Sequence, residues 1–228
     1  IPCKGRRAIM MSKTDFQTAR VAMVDCQIRP ADVTHYNIID AMLKIPREDF
    51  FPDSLREIAY VGEHIRISDE RYTLDPRIIA KILNLVNVNG SDLVLDVAGC
   101  FGYTASLLSQ FAQAVVMIEE PVFAKVAERI LVEQSIDNVV VKSGPLIKGA
   151  GDYGPYDVVI IEGGVSFVPN DIVEQLKLGG RIATIFINGA VGECRIGFKA
   201  VDGINWRFGF NAVAPLLNEF KSSTEFVF

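Results

Sequence analysis

The chain has 228 residues, 50% of them hydrophobic and 22% charged, with a formal net charge of −5. This composition excludes a disordered chain, a collagen-like repeat and a coiled coil, and the acidic balance argues against a protein that lives on nucleic-acid phosphates. No apolar run reaches the roughly 18 residues needed to cross a bilayer, so no membrane association is expected.

Residues 1–11 carry Lys4, Arg6 and Arg7 without the apolar core of a signal peptide, and read as a disordered extension or as residues upstream of the natural start. Residues 12–90 then read as a helical region. Phe16, Ala19, Met23 and Ile28 form a helical stripe that ends at Pro30. A second helix is expected over 34–44, capped by Asp32 or Thr34, with Tyr36, Ile39 and Leu43 as its apolar face. Pro46 stops it, and the segment from Pro46 to Pro52 is a loop with an aromatic plug at Phe50 and Phe51. Residues 53–74 read as irregular structure or short strands. Asp75 followed by Pro76 starts a helix whose buried face is Ile78, Ile79, Ile82, Leu83 and Val86.

From residue 91 onward the pattern becomes strand–helix alternation, which predicts a sheet that is mostly parallel, with helices on both faces. Strands are expected over 93–97, 115–118, 139–141, 158–161 and 181–187. Helices are expected over 103–111, 122–133 and 169–176, with Gly179 and Gly180 turning the chain into the last parallel strand. The tail over 197–228 is strand-like, with Phe198, Trp206, Phe208 and Phe210 in alternation, and suits an antiparallel edge. Residues 12–90 and 91–228 are expected to form one compact unit.

Cys3, Cys26, Cys100 and Cys194 show no CxxC spacing and read as free thiols, which fit a reducing cytoplasm. His35 and His64 lie too far apart in sequence to suggest a metal centre. In an open α/β sheet, ligands bind beyond the carboxyl ends of the strands at the switch point. The candidate site is therefore the turn Asp96-Val97-Ala98-Gly99-Cys100-Phe101-Gly102, joined by Glu119 at the end of the next strand. An acid in the second position accepts hydrogen bonds from ribose hydroxyls. An acid in the first position disfavours a pyrophosphate and suits a cationic ligand such as S-adenosylmethionine, with its sulfonium and ammonium groups. A strand–Asp–Gly turn also occurs as a plain packing feature, and from these residues alone both readings stand.

With these residues placed, the chain resembles the protein-L-isoaspartate O-methyltransferases, a class I S-adenosylmethionine-dependent family. The likeness is carried by Met23-Val24-Asp25-Cys26-Gln27-Ile28-Arg29 and Ala41-Met42-Leu43-Lys44-Ile45-Pro46-Arg47-Glu48-Asp49-Phe50 in the N-terminal region. It continues through Val94-Leu95-Asp96, Gly102-Tyr103-Thr104-Ala105, Tyr156-Asp157, Glu174 to Arg181 and Ala214-Pro215-Leu216. The resemblance implies a class I methyltransferase, Rossmann-like fold: a mixed seven-stranded sheet with an N-terminal helical addition. It implies methyl transfer from S-adenosylmethionine to the carboxylate of isoaspartyl residues in damaged proteins and peptides, with S-adenosylhomocysteine as product. It implies a cofactor site of Asp96, Ala98, Gly99, Cys100, Gly102, Glu119 and Gly144, and Thr73 as the acceptor-side hydroxyl.

The chain departs from the family pattern at the site itself. Ala98 and Cys100 stand where the family usually has Gly, and a non-Gly residue forced to positive φ costs on the order of 1 kcal/mol. Phe101 replaces a small residue and either caps or fills the pocket, and Pro145 stands at a family acid. Leu74 stands at the family's acceptor-side serine, so Thr73 substitutes only with a local shift, and Asp75 reads as an N-cap. Arg66, Arg71 and Arg77 are candidate cations for the acceptor carboxylate, though each reads first as surface charge. His64 reads as a solvated loop residue, Cys100 as a small packing residue, and Glu162 as an acid at the site opening or a structural one. The altered site leaves a second expectation: a catalytically weak or inactive binding protein on the same fold, or a methyltransferase with a changed acceptor.

Overall fold

A computed structural model describes residues 11–222 of the chain. The expected extension therefore lies outside the described residues except for Met11, as do Cys3 and the last six residues of the tail.

Helix α1 (Lys13–Met23) is opened by a capping box in which Ser12 and Asp15 exchange hydrogen bonds. The chain then widens into a π turn over Val24–Ile28 and tightens into a 3-10 turn over Arg29–Ala31, so it passes through Pro30 rather than stopping there. Asp32 closes that turn in the left-handed region at φ 63° and is not the cap of the next helix. Helix α2 (Tyr36–Lys44) has no side-chain cap. Its buried residues are Ile38, Ile39, Ala41 and Met42, and Tyr36 is 76% exposed. The inward face is thus rotated from the expected stripe, because Ile38 and Met42, four residues apart, are drawn into the core.

Residues 53–74 hold a 3-10 turn (Asp53–Ile58) and a small antiparallel ladder of β1 (Ile65–Arg66) and β2 (Tyr72–Thr73). Helix α3 (Pro76–Val86) starts as expected, with Asp75 accepting from the Arg77 backbone N–H at 2.8 Å. The sheet elements follow: β3 (Leu93–Val97), α4 (Tyr103–Leu108), β4 (Ala114–Glu119), α5 (Pro121–Glu133), β5 (Val139–Ser143), β6 (Tyr156–Val165), α6 (Asn170–Glu174), β7 (Leu176–Asn188), β8 (Val191–Ala200) and β9 (Gly203–Asn211). Two expectations shift here. Gly179 and Gly180 lie inside β7 rather than in a turn before it, with Gly179 at φ 78° on an irregular stretch of pairing. Among the described residues, the tail beyond Asn211 forms no further strand.

The seven-stranded sheet runs β5-β4-β3-β6-β7-β8-β9. The pairs from β5 to β7 are parallel, and β7-β8-β9 is antiparallel. Alternate residues of the parallel strands enter two separate hydrophobic clusters, as a pleated sheet buried on both faces requires. Val94, Met117 and Ile160 pack with α1–α3 and with inward residues of α4 and α5. Leu95, Val116, Ile118 and Ile161 pack with Ile172 of α6 and with Leu217 and Phe220 of the C-terminal segment. From β3 the chain winds outward to β4 and β5, then returns to β6 on the other side of β3, so the switch point lies at the carboxyl end of β3.

Candidate active site

Asp96, in the central strand, pairs across to Met117 of β4 and Ile160 of β6 and is wholly buried. The turn after it is contorted. Ala98 sits at φ 70°, Cys100 at φ 53° and Gly102 at φ 90°. The strain expected at positions 98 and 100 is therefore present, about 1 kcal/mol for each non-Gly residue. Gly99 is required for a different reason: a Cβ there would lie 2.6 Å from Asp96 Oδ2 and 3.0 Å from Glu162 Oε1. Gly102 starts α4, and its N–H donates to Gly99 O at 2.9 Å.

Beneath Gly99 two buried carboxyls face one another, Asp96 and Glu162, the second only 6% exposed. Burial pushes both upward, Glu162 to about 7; the neighbouring Glu162 raises Asp96 further, while the contact with Asp96 draws Glu162 partly back. One proton shared by the pair satisfies this arrangement better than two charges. Around them lie further buried atoms without a hydrogen-bond partner: both Asp96 oxygens, Glu162 Oε1, Thr104 Oγ1, the Tyr103 hydroxyl and Arg47 Nη1. Such a concentration of unpartnered polar atoms suits a polar or charged ligand.

Glu119 ends β4 and is also wholly buried, yet its surroundings are the opposite. Oε1 accepts from Arg71 Nη1 at 2.5 Å and from the Glu120 N–H at 2.8 Å. Oε2 accepts from Arg71 Nη2 at 2.6 Å and from the Cys100 N–H at 2.7 Å. Burial raises the Glu119 carboxyl, and the Arg71 contacts work against that rise. Desolvation opposes the charge on Arg71, but the bonds to Glu119 outweigh it and hold the guanidinium charged.

The structure thus brings Asp96, Ala98, Gly99, Cys100, Gly102 and Glu119 together. Gly144 joins from the end of β5, its N–H donating to the Glu119 carbonyl at 3.0 Å. Thr73 reaches the group through Cys100, whose thiol it neighbours. That thiol is buried and pushed up to about 12, so it is a packing residue and not a nucleophile. Phe101 fills rather than caps: it is 9% exposed and packs on Phe123 with ring centroids 5.6 Å apart.

On the acceptor side, Leu74 is core, and its carbonyl accepts from Arg47 Nη2 at 2.8 Å. Arg66 pairs with Asp69 and Arg77 with Asp75, both on the surface as expected. Arg71 is the correction: it is 5% exposed and belongs to the site, not to the surface. His64 is not free in solvent either. Its Nδ1 accepts from the Asp75 N–H at 3.1 Å and its Nε2 donates to Val213 O at 2.8 Å, which ties the acceptor segment to the C-terminal segment. Sequence reasoning also missed Arg47, fully buried and stacked 4.6 Å from the Tyr103 ring centroid. Its signal in the sequence was its place in the Ala41 to Phe50 stretch that carries the family resemblance.

The family model of protein-L-isoaspartate(D-aspartate) O-methyltransferase matches residues 19–189. The chain belongs to that family. The family region contains β1, β2 and both acid sites, and ends in the turn after β7. A protein-L-isoaspartate O-methyltransferase of Syntrophus aciditrophicus is 33% identical over 168 residues, 73% of this chain and 77% of that protein. One from Pelotomaculum thermopropionicum is 30% identical over 201 residues, 87% of this chain and 88% of that protein. A Plasmodium falciparum structure, described as an isoaspartate methyltransferase with S-adenosyl-L-homocysteine, superposes at a TM-score of 0.74. It covers 88% of this chain and 98% of that one at 16% identity, and shows the fold to be that of a class I, Rossmann-like methyltransferase.

Proposed function

We propose that this chain transfers a methyl group from S-adenosylmethionine to the carboxylate of isoaspartyl residues in damaged proteins and peptides. The observation that carries the reading is the set of buried acids at neighbouring strand ends, Asp96 with Glu162 and Glu119, in a chain of this family. The orphaned oxygens of Asp96 and Glu162 fit the cationic, amino-acid end of the cofactor. Glu119 stands where ribose hydroxyls are accepted, Gly99 and Gly102 let the backbone approach, and Gly144 borders the nucleoside end. The bound cofactor would supply an electrophilic methyl group on a sulfonium.

An acceptor carboxylate has a pKa of about 4 and is already ionised at neutral pH, so no general base is required of the chain. Its residues have only to orient the acceptor and keep water out, which the burial of the loop and of Thr73 supports. Thr73 is the hydroxyl assigned to that orientation. The free thiols Cys26, Cys100 and Cys194 support a reducing, cytoplasmic setting for this work. The test is transfer of labelled methyl to a synthetic isoaspartyl peptide, with the aspartyl peptide as control. Transfer to the isoaspartyl peptide alone is expected, falling about ten- to a hundredfold in Thr73→Val, the worth of a hydrogen bond to a charged group made in the transition state. Equal transfer to both peptides, or none to either, overturns the reading.

A further inference from the structure

An ionised carboxylate offers about four acceptor positions, and on Glu119 all four are taken. Two of the donors, the N–H groups of Cys100 and Glu120, are backbone of the loop and of the strand end. The other two come from a single side chain, Arg71. A ribose presents two hydroxyls and needs two acceptor positions, and the guanidinium holds the two that backbone does not. It is also fixed from other sides: it donates to Ala98 O at 3.0 Å and to Glu120 Oε2 at 3.1 Å, and lies 5.0 Å from the Phe123 ring centroid.

Arg71 is mounted on a small element. Strands β1 and β2 pair through two residues each and form their own sheet, separate from the seven-stranded one. The turn between them, Ser68, Asp69 and Glu70, is exposed, and the N–H groups of Ile67 and Ser68 both donate to the Arg71 carbonyl, at 2.9 and 3.2 Å. A two-stranded ribbon of this size is marginal by itself, and no strand pairing joins it to the seven-stranded sheet.

We infer that Arg71 is an internal occupant of the ribose position on Glu119, and that a nucleoside enters by exchange with it, the β1–β2 ribbon carrying the guanidinium away. The inference rests on the reading above that Glu119 receives a ribose. The exchange conserves hydrogen bonds on Glu119 but replaces a charged partner by two neutral hydroxyls, so Arg71 weakens nucleoside binding. Because Arg71 adjoins β2 and Thr73 lies in it, the exchange also shifts the acceptor side.

The experiment is calorimetric titration of S-adenosylhomocysteine into the full chain and into Arg71→Gln at pH 8. It is paired with amide hydrogen exchange of residues 65–73 in the unmodified protein with and without ligand. Binding at least tenfold tighter to Arg71→Gln is expected, together with ligand-accelerated exchange at Ile67 and Ser68. Ligands ordinarily slow exchange where they bind, so acceleration there reports release of the ribbon. Equal or weaker binding by Arg71→Gln, with the ribbon protected by ligand, overturns the inference and leaves the function standing. No binding by either protein overturns both. Should Arg71→Gln fail to fold, the exchange result in the unmodified protein decides alone, faster supporting the inference and slower overturning it.

Discussion

The two acid sites lie on adjoining strands of one sheet, yet they are opposites. At the end of β4, Glu119 has a cation and four donors. At the end of β3, Asp96 has neither of its oxygens met and shares its burial with a second acid, Glu162. An isolated buried charge costs far more than a paired one, so the two sites settle differently. The first keeps its carboxylate and imports Arg71. The second holds a proton and stays short of a cation. The same turn serves both: the Cys100 N–H that closes the ring on Glu119 follows directly on Gly99, whose missing Cβ leaves room over Asp96 and Glu162.

Breaking the paired site has the largest expected effect. Arg71→Ala leaves Glu119 buried without its cation, and removing one partner of a buried pair typically costs about 3–5 kcal/mol. With Arg71 gone, the Glu119 carboxyl rises further. The loss is therefore full at pH 8 and shrinks at pH 5, where the acid takes up a proton. Urea unfolding at the two pH values checks this. Equal loss at both would show that Arg71 acts through packing on Phe123 rather than through charge.

The contrast also shows what a single sequence discloses. Asp96 and Glu119 were legible because a β-branched run followed by an acid marks a strand end, and strand ends at a switch point are where ligands go. The contorted glycine turn was legible for the same reason, and Ala98 and Cys100 sit in the strained region foreseen for them. Arg71 was not. It lies 48 residues from Glu119, on a stretch with no clear periodicity, and arginine is ordinarily a surface residue. Only the folded chain sets the ribbon against β4. The inward face of α2 was misjudged in the same way, because its partners are not local.

Neutralising one acid of the unpaired site sharpens the comparison with a middling effect of opposite sign. In the folded protein Glu162 titrates near 7, against an ordinary value near 4.5 in the unfolded chain. Between those values the native state holds a proton that the unfolded state has released, so stability falls as pH rises from about 4.5 to 7 and stays low above it. Glu162→Gln removes that dependence. It is expected to stabilise the protein by about 3 kcal/mol at pH 8 and to change little at pH 4, since a raised carboxyl is differential stability of about 1.4 kcal/mol per unit. Denaturant midpoints across the pH range measure it. A variant that keeps the original slope would show that Asp96 carries the proton alone.

The smallest effect is on the turn that both sites share. Ala98 sits at φ 70° with almost no exposed surface, and its carbonyl accepts from Arg71 while its N–H donates to Ile118 O at 3.2 Å. Glycine adopts that backbone without the steric penalty, on the order of 1 kcal/mol. Against this, glycine frees the unfolded chain and gives up one buried methyl, each a fraction of a kcal/mol to about 1. The terms nearly cancel, and Ala98→Gly is expected to move stability by no more than about 0.5 kcal/mol, or roughly 1–2 °C in Tm for a chain of this size. A rise of several degrees would mean that the strain at position 98 is larger than its φ implies and is held there by the Arg71 and Ile118 contacts. A fall of several degrees would mean that the methyl group is packing the floor of the paired site. Thermal melts of Ala98→Gly alone and combined with Arg71→Ala separate the cases. If the Arg71 contact maintains the strain, the gain from glycine shrinks once Arg71 is removed, whereas a packing role leaves the two effects additive.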